Sequence, residues 1–131
     1  MTKVLVVEEE AALKKLIIQA LEDVGLQVVS AFSLRGGFDA LHSYKPGAIS
    51  VAFIDWQFED GTSQLLIADA VRCNVGQIVV MSGGQKPEVW PQARHAGADS
   101  FLSKPLDFKS AVFYKHLASS LVAAWSKESS R

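Results

Sequence analysis

The chain has few of the features that mark specialised protein classes. A single cysteine, Cys73, stands among 131 residues, so no intrachain disulfide can form. That usage fits a reducing compartment. Neither sign of charge is in excess: 13 Lys+Arg face 14 Asp+Glu, for a net charge of −1. The balance argues against direct nucleic-acid binding and against an acidic, solvating tail. The longest apolar runs lie near Val51–Ile54 and Leu121–Trp125. They fall far short of the roughly 20 residues a membrane span needs. Met1-Thr2-Lys3 leads straight into a strand-like run, without a signal-peptide pattern. No repeat, low-complexity segment or interdomain linker is visible. Apolar residues make up 49% and charged residues 21%, the proportions of an ordinary globular domain. The expectation is one domain over residues 1–126, a polar tail over 127–131, and a cytoplasmic location.

Short apolar runs alternate with amphipathic stretches. Val4–Val7 is continuous and β-branched, as in a strand buried on both faces. Ala11–Val24 carries Leu13, Leu16, Ile17, Ala20, Leu21 and Val24 on one helical stripe, stopped by Gly25. Leu26–Ser30 reads as a second strand. Ser33 caps a second helix to about Ser43, in spite of Gly36 and Gly37, each costing about 1 kcal/mol. Pro46-Gly47 marks a turn before a third strand, Ile49–Ile54. Asp60-Gly61 is a further turn, and Thr62 or Ser63 caps a third helix to about Cys73. Gln77–Met81 is the fourth strand, followed by a Ser82–Glu88 loop. Pro91 predicts a short fourth helix that starts near it, and Gly97 ends that helix. Ser100–Ser103 is the fifth strand. Asp107 is expected to cap a last helix, Phe108–Trp125, and Ser126–Arg131 to fray.

Strict strand–helix alternation predicts an α/β fold with a doubly wound, five-stranded parallel sheet of order 2-1-3-4-5. In such a sheet the ligand crevice lies at the carboxyl ends of the strands, at the switch point. Glu8, Glu9 and Glu10 follow the first strand, Asp55 ends the third, Ser82 the fourth, and Lys104 the fifth. Each has an ordinary explanation taken singly: helix-terminus electrostatics, a loop cap, a turn residue, a solvated lysine. Their convergence from four separated segments is the signal. Glu8, Glu9 and Asp55 carry −3 against the +1 of Lys104, so a divalent cation would neutralise the group. Oxygen-only ligands point to Mg²⁺, and no Cys/His cluster suggests zinc. An aspartate beside Mg²⁺, a lysine and a hydroxyl is suited to accept a phosphoryl group. His42, His95 and His116 are scattered and read as surface or boundary residues, and Cys73 as packing. Trp56 is either rim or core.

From Lys3 to about Trp125 the chain resembles a receiver domain of a bacterial two-component response regulator. The resemblance rests on Val4–Glu10, Phe53-Ile54-Asp55-Trp56, Asp60-Gly61, Val80-Met81-Ser82-Gly83 and Gly97–Pro105. It implies a flavodoxin-like fold of the chemotaxis single-domain type. It implies Asp55 as phosphoryl acceptor and Mg²⁺ held by Glu8, Glu9, Asp55 and the Gln57 backbone carbonyl. Ser82 and Lys104 would engage the phosphoryl group, with Ser82 and Phe101 as switch residues. A cis Lys104-Pro105 peptide is implied as well. The implied partners are a histidine kinase or phosphotransfer protein and a downstream protein, the domain being a monomer or weak dimer. The output face would include Trp90, Arg94, His95, Phe101 and Tyr114.

Two departures stand out. Both positions of the acidic pair are glutamate, one methylene longer than aspartate, and Phe101 stands where tyrosine is common. An alternative is therefore a degenerate receiver that serves as an interaction module without phosphate. An aspartate-nucleophile phosphatase of the haloacid dehalogenase type would need an acid at the position of Gln57. A flavodoxin would need a Thr/Gly-rich phosphate loop after the first strand.

Overall fold

Five apolar runs form the strands of one parallel sheet. The computed structural model describes residues 2–84 and 86–129. The elements, in order, are β1 (Lys3–Val7), α1 (Ala11–Asp23), β2 (Gln27–Ala31), α2 (Leu34–His42), β3 (Val51–Asp55), β4 (Gln57–Phe58), β5 (Gly61–Thr62), α3 (Gln64–Arg72), β6 (Gln77–Ser82), α4 (Lys86–Ala96), β7 (Ser100–Ser103) and α5 (Ala111–Ser129). The sheet order is β2-β1-β3-β6-β7, the topology expected for the five sheet strands. The register sets Val7 beside Ile54, Asp55 beside Met81 and Ser82 beside Ser103, which aligns the carboxyl ends. β4 and β5 form a small antiparallel hairpin around the Asp60-Gly61 turn, which hydrophobic periodicity had not marked.

The three central strands, β1, β3 and β6, bury both faces. Leu5, Val7, Ile54 and Val80 face α2, α3 and α4 through Leu41, Leu66, Ile67 and Ala93. Val4, Val6, Phe53 and Met81 face α1 and α5 through Ile17, Leu21, Phe113 and Leu117. At about 25 cal/mol per Å² of apolar surface, this two-sided burial is the main stabilising contribution. Gly37 has a packing reason within α2: a Cβ there would lie 2.7 Å from Leu66 Cδ2, so glycine lets α2 approach α3. Gly97 ends α4 at φ +124, where L side chains are strained.

Three local expectations need correction. α4 begins at Lys86 and carries Pro91 inside it, rather than starting at Pro91. Proline removes the bond to the carbonyl four residues back. That carbonyl belongs to exposed Pro87, where water can solvate it, and buried Val89 and Ala93 hold the helix down. α5 begins at Ala111 rather than Phe108. Asp107 accepts the Lys109 N–H at 2.9 Å in a local turn, and Ser110 Oγ accepts from Val112 N–H at 3.3 Å. The helix also continues through Ser129 instead of fraying after Trp125. Lys127 Nζ donates to the Gly76 carbonyl at 2.7 Å, and Ser50 Oγ donates to Glu128 Oε1 at 2.9 Å. These ties hold the last turn against the amino end of the sheet. Ser130 and Arg131, the rest of the expected tail, lie outside the described residues, as does Gln85 of the expected loop. Ser63 precedes α3 as expected, but its buried hydroxyl has no hydrogen-bond partner among the described residues.

Candidate functional site

The carboxyl ends of β1, β3, β6 and β7 bring Glu8, Asp55, Ser82 and Lys104 into one region. Glu8 is fully buried. Its Oε1 accepts from Lys104 Nζ at 2.5 Å, and its Oε2 accepts the Glu9 N–H at 2.9 Å. Lys104 Nζ also lies 3.1 Å from Asp55 Oδ2. One ammonium therefore bridges two carboxylates. The Lys104 backbone is fixed by its N–H bond to the Ser82 carbonyl at 2.9 Å. Lys104-Pro105 is cis.

The electrostatics follow from this crowding. Burial, together with the hydrogen bond and negative charge of Glu8, pushes the Asp55 carboxyl from 3.8 up to about 7, with Lys104 opposing. Burial works against the Lys104 ammonium, but Glu8 and Asp55 outweigh it and hold its pKa above the ordinary lysine value. The site thus carries more carboxylate than its lysine can neutralise.

An open cleft leads to Asp55. Ser82, Gly83, Gly84, Gln57, Thr62 and Lys104 line it. Ser82 Oγ accepts the Gly84 N–H at 3.0 Å, which leaves the hydroxyl proton free to turn toward a ligand. Gln57 is exposed, its side chain donating to the Phe58 carbonyl at 3.1 Å.

Glu9 does not join the other two carboxylates. Its Oε1 and Oε2 accept the Glu59 N–H at 3.2 and 3.0 Å. The extra methylene carries the carboxylate over to the β4–β5 hairpin. Sequence reading missed this partner because a backbone amide leaves no residue-type signature; Asp60-Gly61 was the sole hint of the hairpin. Phe101 is half-buried, edge-on to Trp90 at 6.4 Å between ring centroids, with Lys86 Nζ 5.9 Å from its ring. Trp56 is buried, packs in the core and also lines the cleft beside Asp55. The histidines do not enter the site. His42 contacts Asp69, and His116 lies 2.8 Å from Ser100 Oγ.

Fold and cluster define a class of signalling module, and the comparisons with known proteins agree. Residues 4–112 match the response regulator receiver domain model, and the chain belongs to that family. It is 33% identical over 105 residues to the KDP operon transcriptional regulatory protein KdpE of Escherichia coli (strain K12). That match covers 80% of this chain and 45% of KdpE, so the chain spans about half the length of this relative. Among solved structures it resembles a CheY-like receiver domain protein from Methanospirillum hungatei JF-1, with TM-score 0.86, 20% identity and coverage of 97% and 98% of the two chains. It also resembles a Burkholderia pseudomallei response regulator with a phosphorylated aspartic acid, calcium ion and citrate. There the TM-score is 0.79 at 20% identity, covering 99% of this chain and 72% of the other. Receiver domains serve two-component signal transduction and interact with histidine kinases or phosphotransfer proteins. No helix among the described residues is long and apolar enough to cross a membrane.

Proposed function

We propose that this domain accepts a phosphoryl group on Asp55 from a histidine kinase or phosphotransfer protein and passes the signal on by protein–protein contact. The observation that carries this reading is the Glu8–Lys104–Asp55 bridge, whose Asp55 and Lys104 line an open cleft while Glu8 lies buried behind them. Buried charges of this kind stabilise a fold poorly, and hydrophobic replacements are often no worse. Their position at the switch point favours chemistry.

The donor set fits Mg²⁺. Glu8 and Asp55 offer carboxylate oxygens, Gln57 lines the same cleft and would supply its backbone carbonyl, and carboxylate charge exceeds the lysine that faces it. Glu9 can join on release from the Glu59 amide. Bound there, Mg²⁺ would neutralise the carboxylates and the incoming phosphoryl oxygens. Asp55 would attack phosphorus through its carboxylate oxygen, forming the acyl phosphate while the donor's leaving group departs. Lys104 would turn from Glu8 toward the phosphoryl group, and Ser82 would donate its hydroxyl hydrogen to it. The added charge of about −1.5 to −2 would shift Ser82, Phe101 and the α4–β7–α5 face. Trp90, Arg94, His95 and Tyr114 contribute to that output face. Monomer or weak dimer is the expected state, in the cytoplasm.

A second reading has its own observation: the Glu9 carboxylate is committed to the hairpin, as suits a receiver that works without phosphate. Intact-mass measurement after incubation with acetyl phosphate and Mg²⁺ separates the two. A phosphoryl adduct on wild type and none on Asp55→Asn supports the first reading. No adduct on folded wild type, with partner binding indifferent to acetyl phosphate, supports the second.

A further inference from the structure

We propose that His42, Asp69 and Cys73 form a site for a divalent transition cation, with zinc the best match, linking α2 to α3. Their ligand atoms lie within 4.8 Å of one another. The three come from 27 and 4 positions apart in sequence, which is why no zinc-type spacing is visible there. Asp69 and Cys73 stand four residues apart and share one face of α3, whose C-cap is Cys73. His42 is the last residue of α2. The close α2–α3 approach at Gly37 and Leu66 brings these helix ends together.

The partners are already arranged. His42 Nε2 lies 2.7 Å from Asp69 Oδ2, and Asp69 Oδ1 lies 3.5 Å from Arg72 NH2. Asp69 is buried, Cys73 half-buried and His42 exposed. A buried carboxylate, a shielded thiol and an exposed imidazole give two fixed ligands and one movable one. Imidazole, thiolate and carboxylate suit zinc, with bonds of about 2.0–2.3 Å, and three protein ligands leave a fourth position for water. Closing around the ion requires the exposed imidazole to swing slightly and carry its proton on Nδ1. Cys73 loses its thiol proton to solvent as the sulfur–metal bond forms. Burial and then the Asp69 charge hold that thiol's pKa up. The Arg72 guanidinium, 69% exposed, remains as an outer partner of Asp69.

The site lies at the carboxyl ends of α2 and α3, hence at the amino end of the sheet, opposite Asp55. The Gly47 N–H bond to the Cys73 carbonyl at 3.0 Å marks that end. This separation makes the proposal independent of the phosphoryl reading.

Titration of the reduced protein with Co²⁺ alone tests it. A thiolate-to-cobalt absorption band in the near ultraviolet is expected, saturating at one equivalent and displaced by Zn²⁺. Cys73→Ser should lose the band, His42→Ala should bind at least about tenfold more weakly, and Asp55→Asn should match wild type. His42 is exposed and Ser is isosteric with Cys, so both variants are expected to fold, as circular dichroism will verify. Zn²⁺ should raise the Tm of wild type by more than that of Cys73→Ser, the difference being the share of this site. Absence of the band in wild type, or an unaltered titration in His42→Ala, overturns the proposal. Co²⁺ at the carboxylate cluster gives no thiolate band, so the two sites are distinguished by the spectrum.

Discussion

At the carboxyl end of the sheet, Glu8, Asp55 and Lys104 are crowded together and mostly withdrawn from water. At the amino end, Ser50 and Lys127 donate to Glu128 and Gly76 and close α5 over the strand starts. Both ends use polar side chains, but on different terms. The α5 closure pairs each of these donors with one acceptor at a half-exposed boundary. The carboxyl end gives one cation two carboxylates, so removing any member changes the state of the rest. A pairing that satisfies its members needs no ligand; one left short of positive charge is prepared for one.

Substitutions at the two ends break or sharpen this contrast. Lys104→Met should have the largest effect on stability, because it leaves fully buried Glu8 and Asp55 without their cation. Losing one member of a buried pair costs about 3–5 kcal/mol. Urea unfolding at pH 8 measures it, and at pH 5, below the raised pKa of Asp55, the loss should shrink. Equal midpoints at pH 8 would contradict the account.

Asp55→Asn should act in the opposite direction. The folded state raises this carboxyl from 3.8 to about 7, so folding favours its protonated form. That contribution is complete below about 3.8 and is lost as pH rises through about 7. Wild type should therefore lose stability relative to Asp55→Asn between those limits, and the variant should be the more stable at pH 8. Parallel pH–stability curves would count against a proton-retaining Asp55.

At the amino end the effects should be smaller and indifferent to pH. A Cβ on Gly76 would lie 2.7 Å from the Ser50 carbonyl oxygen and 2.9 Å from Ala124 Cβ. Gly76→Ala should therefore cost about 1–3 kcal/mol, as overpacking does, read as the same shift in unfolding free energy at pH 5 and pH 8. Ser50→Ala removes one partly exposed hydrogen bond to Glu128 and should cost about 0.5–1 kcal/mol. A loss at Ser50 as large as that at Lys104 would erase the contrast.

The same contrast explains what was legible in the sequence. Strand order and the meeting of Glu8, Asp55, Ser82 and Lys104 could be read because apolar runs and strand-end residues repeat at fixed places in a doubly wound sheet. The turn of Glu9 to the Glu59 amide was not legible, since the acceptor's partner is backbone. Pro91 misled because local propensity disfavours a helix there, while burial of Val89 and Ala93 retains it. The Lys127 and Glu128 ties were hidden in a polar segment that reads as solvent-facing until its distant partners, Gly76 and Ser50, are known.

The central claim is that the carboxyl-end cluster accepts a phosphoryl group on Asp55. Peptide mapping of the wild-type protein after acetyl phosphate treatment, with Mg²⁺ and with a chelator in its place, tests it most directly. The account predicts one adduct, on the peptide containing Asp55, formed with Mg²⁺ and lost with the chelator. An adduct on another peptide, or none on a folded protein with Mg²⁺ present, would contradict it.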